Sequence, residues 1–209
     1  MPTEVEIKIN IPDKSVISRI QQEEYVTRFV RDGFHVEEMH TIFYDTPDWD
    51  LCREQFMLRM RSSGQTGCLS LKHGCVSKGG SPGLCIRRKW VCTTTEIETA
   101  IESLLNAGAP ERLKELTRGK PLIERARADF TRTSALLHMP EGLRVELAMD
   151  EGEISVGELR APVLEMELEV LFGNIESLRP FCDGLSERYG LSPALTTKYE
   201  KAFALAHDA

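Results

Sequence analysis

The chain has 209 residues, 41% of them hydrophobic, and a formal net charge of −7. That length fits one domain with a sizeable core, and the acidic balance argues against a general nucleic-acid binder, although a local basic patch can still hold an anion. No apolar run approaches the roughly 20 residues of a membrane-spanning helix, and an aromatic content of 7% is too low for the girdles of a membrane barrel.

Residues 3–10 predict a strand in which Glu4, Glu6 and Lys8 alternate with Val5, Ile7 and Ile9. Side chains alternate between the two faces of a strand, so one face is charged and the other aliphatic. Pro12 and Asp13 open a helix through about Arg31, with Asp13 as its cap and Gly33 as its stop. A strand over 34–44 follows, and Thr46-Pro47-Asp48 then turns the chain into a short helical segment holding Trp49 and Leu51. Strands come next near 56–62, 68–74 and 83–93. In them Arg59 and Arg61 alternate with Leu58 and Met60, and Ser70 and Lys72 with Leu69 and Leu71. Residues 79–83 form a Gly-rich hairpin loop. Thr95 with Glu98 predicts a capping box for a helix to Asn106. Strands near 121–134, 142–150, 153–159 and 162–172 follow, with turns at Glu141-Gly142 and Glu151-Gly152. Here Arg125, Arg127 and Asp129 alternate with Ala126, Ala128 and Phe130. Arg144, Glu146 and Asp150 alternate with Val145, Leu147 and Met149, and Glu165, Glu167 and Glu169 with Met166, Leu168 and Val170. Two helices, about 174–189 and 194–206, end the chain.

A half-buried strand with its polar face to water accounts for each strand singly. It accounts for the set less well, because like charges side by side on one face repel. Acidic and basic strands facing each other across a shared hydrated space remove the difficulty. The expected fold is α+β: a closed antiparallel barrel of eight or nine strands with a charged lumen, flanked by helices, as a single domain over residues 1–209. Glu4 and Glu6 stand where the apolar stretch of a signal peptide would begin, so a cytoplasmic location is expected. Cys52, Cys68, Cys75, Cys85, Cys92 and Cys182 are then expected as reduced thiols. Trp49, Trp90, Phe130 and Phe172 are expected to pack, and His40 and His73 to be peripheral.

Taken in order, these elements resemble the CYTH proteins, also called triphosphate tunnel metalloenzymes. The resemblance is carried by Glu4-x-Glu6-x-Lys8, Phe43-Tyr44-Asp45-Thr46-Pro47, Leu58-Arg59-Met60-Arg61, Leu71-Lys72, Glu146 with Asp150, Glu165-x-Glu167-x-Glu169 and Thr197-Lys198-Tyr199. It implies a tunnel that binds triphosphates with Mg²⁺ or Mn²⁺. Family members include inorganic tripolyphosphatases, thiamine triphosphatases and class IV adenylate cyclases. Two departures stand out. Thr197 replaces the usual serine, and Arg87-Arg88-Lys89 puts a base where the family often has the acid of Arg-x-Glu.

The residue chemistry agrees with that family. Lys8, Arg59, Arg61, Lys72, Arg87, Arg125, Arg127 and Lys198 are the expected triphosphate clamp, since the planar fork of arginine suits phosphate oxygens. Glu4, Glu6, Glu165, Glu167 and Glu169 are the expected ligands of a hard cation. Asp150, like Glu146, is either an outer metal ligand or an arginine partner. Glu4, Glu6 and Lys72 form the expected catalytic set. The expected activity is metal-dependent hydrolysis of a triphosphate, either inorganic tripolyphosphate or an organic one such as thiamine triphosphate. The alternative is a class IV adenylate cyclase, which needs an adenine pocket that no stretch specifies. The expected partner is a small-molecule triphosphate, with no nucleic acid and no membrane, and the chain is a monomer or homodimer.

Overall fold

The computed structural model describes residues 3–63, 66–74, 82–92 and 96–208. Cys75, the loop residues Gly79, Gly80 and Ser81, and the expected cap Thr95 lie outside them. The described cysteines are all free thiols.

The alternating segments pair as expected. Strands β1 (Thr3–Asn10), β2 (His35–Asp45), β3 (Phe56–Ser63), β4 (Thr66–His73), β5 (Leu84–Cys92), β6 (Ile123–His138), β7 (Arg144–Val156) and β8 (Leu159–Phe172) form one antiparallel sheet in the order β5-β4-β3-β2-β6-β7-β8-β1. β1 also pairs with β5, Glu4 opposite Arg87, which closes the sheet into a barrel. A short β9 (Ser192–Pro193) lies along β1.

Closure leaves an outer apolar face that helices must cover. Ile7, Ile9, Val145, Leu147, Met166 and Leu168 pack against α1 (Ser15–Gln22), α2 (Glu24–Thr27) and α6 (Arg179–Tyr189). On the opposite side Leu58, Leu69, Leu71 and Trp90 pack against α3 (Asp50–Arg53), α4 (Ala100–Asn106) and α5 (Arg112–Thr117). A third cluster sits inside the barrel. Phe43, Ala126, Ala128, Phe130, Ile154 and Val163 meet Trp49 and, from α7 (Lys198–His207), Tyr199 and Ala202. This cluster floors the barrel, so the lumen is a cup with a closed end.

Several boundaries differ from expectation. The first helix breaks at Glu23, whose backbone is extended (φ −74°, ψ 122°). The last helix starts at Lys198, behind a Thr197–Glu200 capping box. Phe172 is 66% exposed rather than packed.

Glu151-Gly152 is not a turn. β7 runs straight through it, with Gly152 paired to Phe130 and Val163. Gly152 is there because the β6 backbone comes too close for a side chain: a Cβ would lie 2.2 Å from the Asp129 carbonyl oxygen and 2.5 Å from Phe130 Cα. Glycine within a strand often marks such an approach. Gly152→Ala is expected to cost about 1–3 kcal/mol by pushing β6 and β7 apart. Urea unfolding measures this as a lowered midpoint.

Candidate active site

On β1, β3, β4, β5, β7 and β8 the inward parity is the charged one. Glu4, Glu6, Lys8, Arg59, Arg61, Lys72, Arg87, Glu146, Glu167, Glu169 and Lys198 line a cavity of about 110 Å³ above the apolar floor. Lys89 and Arg132 line it too.

The closed end is pinned by a buried carboxylate. Asp45 accepts hydrogen bonds from the N–H groups of Thr46, Leu51 and Cys52, at 2.7–2.9 Å, and from the Tyr199 hydroxyl at 2.6 Å. The turn after β2 is thereby tied to the first turn of α7. The neighbouring Lys198 reaches into the lumen, 2.6 Å from Asp150 and 2.5 Å from Glu165.

Six of the lumen carboxylates fall into two groups, and Glu146 belongs to neither. Deep in the cup are Asp150, Glu165 and Glu167; nearer the mouth are Glu4, Glu6 and Glu169. Within each group, ligand oxygens lie within 4.8 Å of one another. The deep group is already countered by the chain's own cations. Arg132 holds Asp150 with two bonds of 2.7 Å and Glu167 with one of 2.9 Å. Lys8 pairs with Glu167, and Lys201 with Glu165. Burial alone would raise the Glu165 and Glu167 pKa values, but Lys198 and Lys8 outweigh it and hold both well below the usual range.

The outer group is less complete. Lys72 donates to Glu4 Oε1 at 2.7 Å and Arg87 to Glu6 Oε1 at 2.5 Å. Glu4 Oε2 is buried with no hydrogen bond; the Arg87 guanidinium lies 3.1 Å away without directing an N–H at it. Burial would raise the Glu4 pKa too, but Lys72 and Arg87 bring it down to about 2. Glu169 goes the other way: burial, then Glu4, push it up to about 7.

Arg59 and Arg61 form the opposite wall. Among the described residues neither has an ion pair; Arg59 donates to the Ser70 hydroxyl at 3.3 Å and Arg61 to the Thr41 hydroxyl at 3.0 Å. Burial, then the neighbouring Arg61 and Arg87, lower Arg59 to about 9. Burial, Arg87 and Arg59 likewise push Lys72 well below its ordinary value. The wall of β3, β4 and β5 is therefore short of negative charge, and it faces carboxylates on β1 and β8.

Two expected clamp residues are not in the cup. Arg127 is exposed and bonded to Glu124 at 2.6 Å. Arg125 lies with its guanidinium 4.5 Å from the Trp49 ring centroid. On β6 the inward parity belongs to Ala126 and Ala128, because at that level the lumen is the apolar floor. Arg132 was not anticipated. It continues the inward run 126, 128, 130, and that continuation was the available signal. Arg87 finds its partners in Glu4 and Glu6, while Arg88 points out and Lys89 points in. His40 is exposed beside Asp129, and His73 stacks on Phe56 outside the lumen.

The depressed carboxylates make stability depend on pH. Their folded pKa values lie below the ordinary 4.5, so their contribution is full above that value and is lost as pH falls through the folded values, which for Glu4 means toward about 2. Denaturant midpoints are expected to fall steeply on acidification from about 4.5. A flat profile over that window would contradict the ion pairing.

A family model described as the CYTH domain matches residues 2–199. An inorganic triphosphatase of Haemophilus influenzae is 28% identical over 207 residues, covering 98% of this chain but 55% of its own length. The chain thus spans about half of that relative. Among solved structures, a Hippeastrum protein described as an adenylyl cyclase with dominant triphosphatase activity superimposes with a TM-score of 0.63, at 20% identity over 96% of this chain and 95% of the other. A Bacillus halodurans protein described as a candidate adenylate cyclase gives a TM-score of 0.56, at 18% identity over 94% and 96%.

Proposed function

The chain belongs to the CYTH domain family, and from that premise and the geometry of its lumen we propose that it is a divalent-metal-dependent triphosphatase. The observation that carries this reading is the pair of half-buried arginines, Arg59 and Arg61, which have no ion pair among the described residues and stand opposite a carboxylate wall. Uncompensated buried charge is costly unless a ligand supplies the missing partner. The missing partner on one wall is an anion; on the other it is a cation. A phosphate chain with a bound metal supplies both. The inorganic triphosphatase from Haemophilus influenzae supports the same substrate class.

The residues fit a hard cation. Carboxylate oxygens are its preferred donors, and the orphaned, buried Glu4 Oε2 is a donor site left open. Glu4, Glu6 and Glu169 would hold it at the mouth, since the chain's own cations already counter Asp150, Glu165 and Glu167. When bound, such an ion neutralises phosphate oxygens and orients an attacking water. Arg59 and Arg61 bind the chain's oxygens through charge-assisted bonds. Lys72 and Arg87 reach from the β3–β5 wall to the carboxylates of β1, so phosphate oxygens compete with Glu4 and Glu6 for their N–H groups. Lys198, anchored through α7, fixes the charge at the cup's inner end. Positioning and electrostatics carry the catalysis. The aromatic residues in and under the lumen are committed elsewhere: Phe43 stacks on Tyr199, and Phe130 lies beneath Arg61, Arg132 and Lys198. Neither offers a free face to a base, which favours hydrolysis of the phosphate chain over nucleotide cyclisation. No described helix is long and apolar enough to cross a membrane.

The test is one panel: tripolyphosphate, thiamine triphosphate and ATP, each with Mg²⁺, with Mn²⁺ and with EDTA. Orthophosphate release from a triphosphate, abolished by EDTA, is expected. Equal amounts of pyrophosphate and cyclic AMP from ATP, formed faster than any orthophosphate, would make the protein a cyclase instead.

A further inference from the structure

We propose that Lys89 determines the length of phosphate chain that the cup prefers, by holding the outermost phosphate at its mouth; this rests on the triphosphatase reading above. Lys89 lies on the inner face of β5, two residues beyond Arg87. Its side chain is 35% exposed where that of Arg87 is 5%, which places it at the rim. The β4–β5 ladder sets it directly opposite Lys72. Opposed residues share a face with their Cβ atoms about 4.5–5.5 Å apart, and like charges there repel. Among the described residues its one carboxylate contact is Glu4 Oε1 at 3.9 Å, and that oxygen already accepts a bond from Lys72 at 2.7 Å. Lys89 is therefore a cation without a committed partner, set against a second lysine that it repels. An anion lying between the two removes that repulsion.

The closed floor gives the chain a direction. A linear polyphosphate enters the cup lengthwise, and its inner phosphates meet Arg59 and Arg87, with Lys72 at the boundary between them and the rim. The phosphate left level with the rim meets Lys89. A two-phosphate chain is satisfied by the inner cations alone, whereas a longer one needs the rim. Lys89 thus adds affinity for three or more phosphates and little for two.

The experiment is calorimetric titration of metal-free protein in EDTA with tripolyphosphate and with pyrophosphate. The variants are K89Q, K89R and R59M, at about 0.15 M salt to screen long-range charge. K89Q is expected to weaken tripolyphosphate about tenfold, or about 1.4 kcal/mol, and pyrophosphate by less than about twofold. K89R is expected to bind both like the unaltered protein. Equal weakening of both ligands by K89Q, or no weakening of either, overturns the proposal. If R59M loses tripolyphosphate while K89Q keeps it, the triphosphatase reading stands and the role of Lys89 falls. If the unaltered protein binds neither ligand, the role of Lys89 falls, and the orthophosphate assay with Mg²⁺ or Mn²⁺ decides the triphosphatase reading separately.

Discussion

Arg59→Met is expected to yield a protein that is more stable and far less active. Arg59 is half-buried beside Arg61 and Arg87, with one neutral hydroxyl as its hydrogen-bond partner, and its lowered pKa reflects desolvation and those neighbouring arginines. Methionine has a comparable reach and needs no counter-charge, so the change removes a desolvation cost. Replacing even a buried ion pair with apolar groups is often neutral or stabilising, by about 1–4 kcal/mol, and a charge without a pair has less Coulomb attraction to lose. The same change removes charge-assisted contacts to the substrate, each contributing roughly 1.5–3 kcal/mol. The apparent kcat/KM for a triphosphate should therefore fall by about tenfold to a hundredfold or more. Thermal unfolding and steady-state kinetics on one preparation read both effects. Lower stability with retained activity would place Arg59 in the scaffold instead.

Asp150→Asn is expected to do the reverse to stability. Asp150 is fully buried and takes two bonds from Arg132 and one from Lys198. Asparagine keeps the size but leaves both cations under-compensated in a closed space. Removing one member of a buried ion pair costs about 3–5 kcal/mol. The control is the double variant Asp150→Asn with Arg132→Met, which removes one of the stranded cations and should recover part of the loss. Denaturant unfolding of the two single variants and the double closes the cycle. A strictly additive result would show that Asp150 and Arg132 are not coupled, against the geometry. Arg59 and Asp150 thus separate two uses of charge in one lumen: charge kept for a ligand, and charge kept for the fold.

The barrel was legible wherever polarity and direction coincided. In β1, β3, β4 and β8 the charged parity is the inward parity, so Glu4, Arg59, Lys72 and Glu165 were placed from alternation alone. β6 broke the rule because the lumen changes character along its length. Near residues 125–129 the interior is the floor made with α7, which demands Ala126 and Ala128 inside and sends Arg127 to solvent. Higher up the same parity delivers Arg132 to the carboxylates. No local pattern announces that switch, since it depends on a helix about 70 residues further on (Tyr199 of α7 against Phe130). Gly152 misled in a similar way. Its lack of a side chain suits a close neighbouring strand as well as it suits a turn, and only the partner strand tells them apart.

If one lumen holds a phosphate chain on the β3–β5 wall and a metal ion on the facing carboxylates, a crystal structure with tripolyphosphate and Mn²⁺, collected for anomalous scattering, shows both at once. Phosphate density is expected against Arg59 and Arg61, with a manganese peak between it and Glu4, Glu6 and Glu169. Phosphate density at Arg127 on the exposed face of β6, with no manganese in the lumen, would contradict that arrangement.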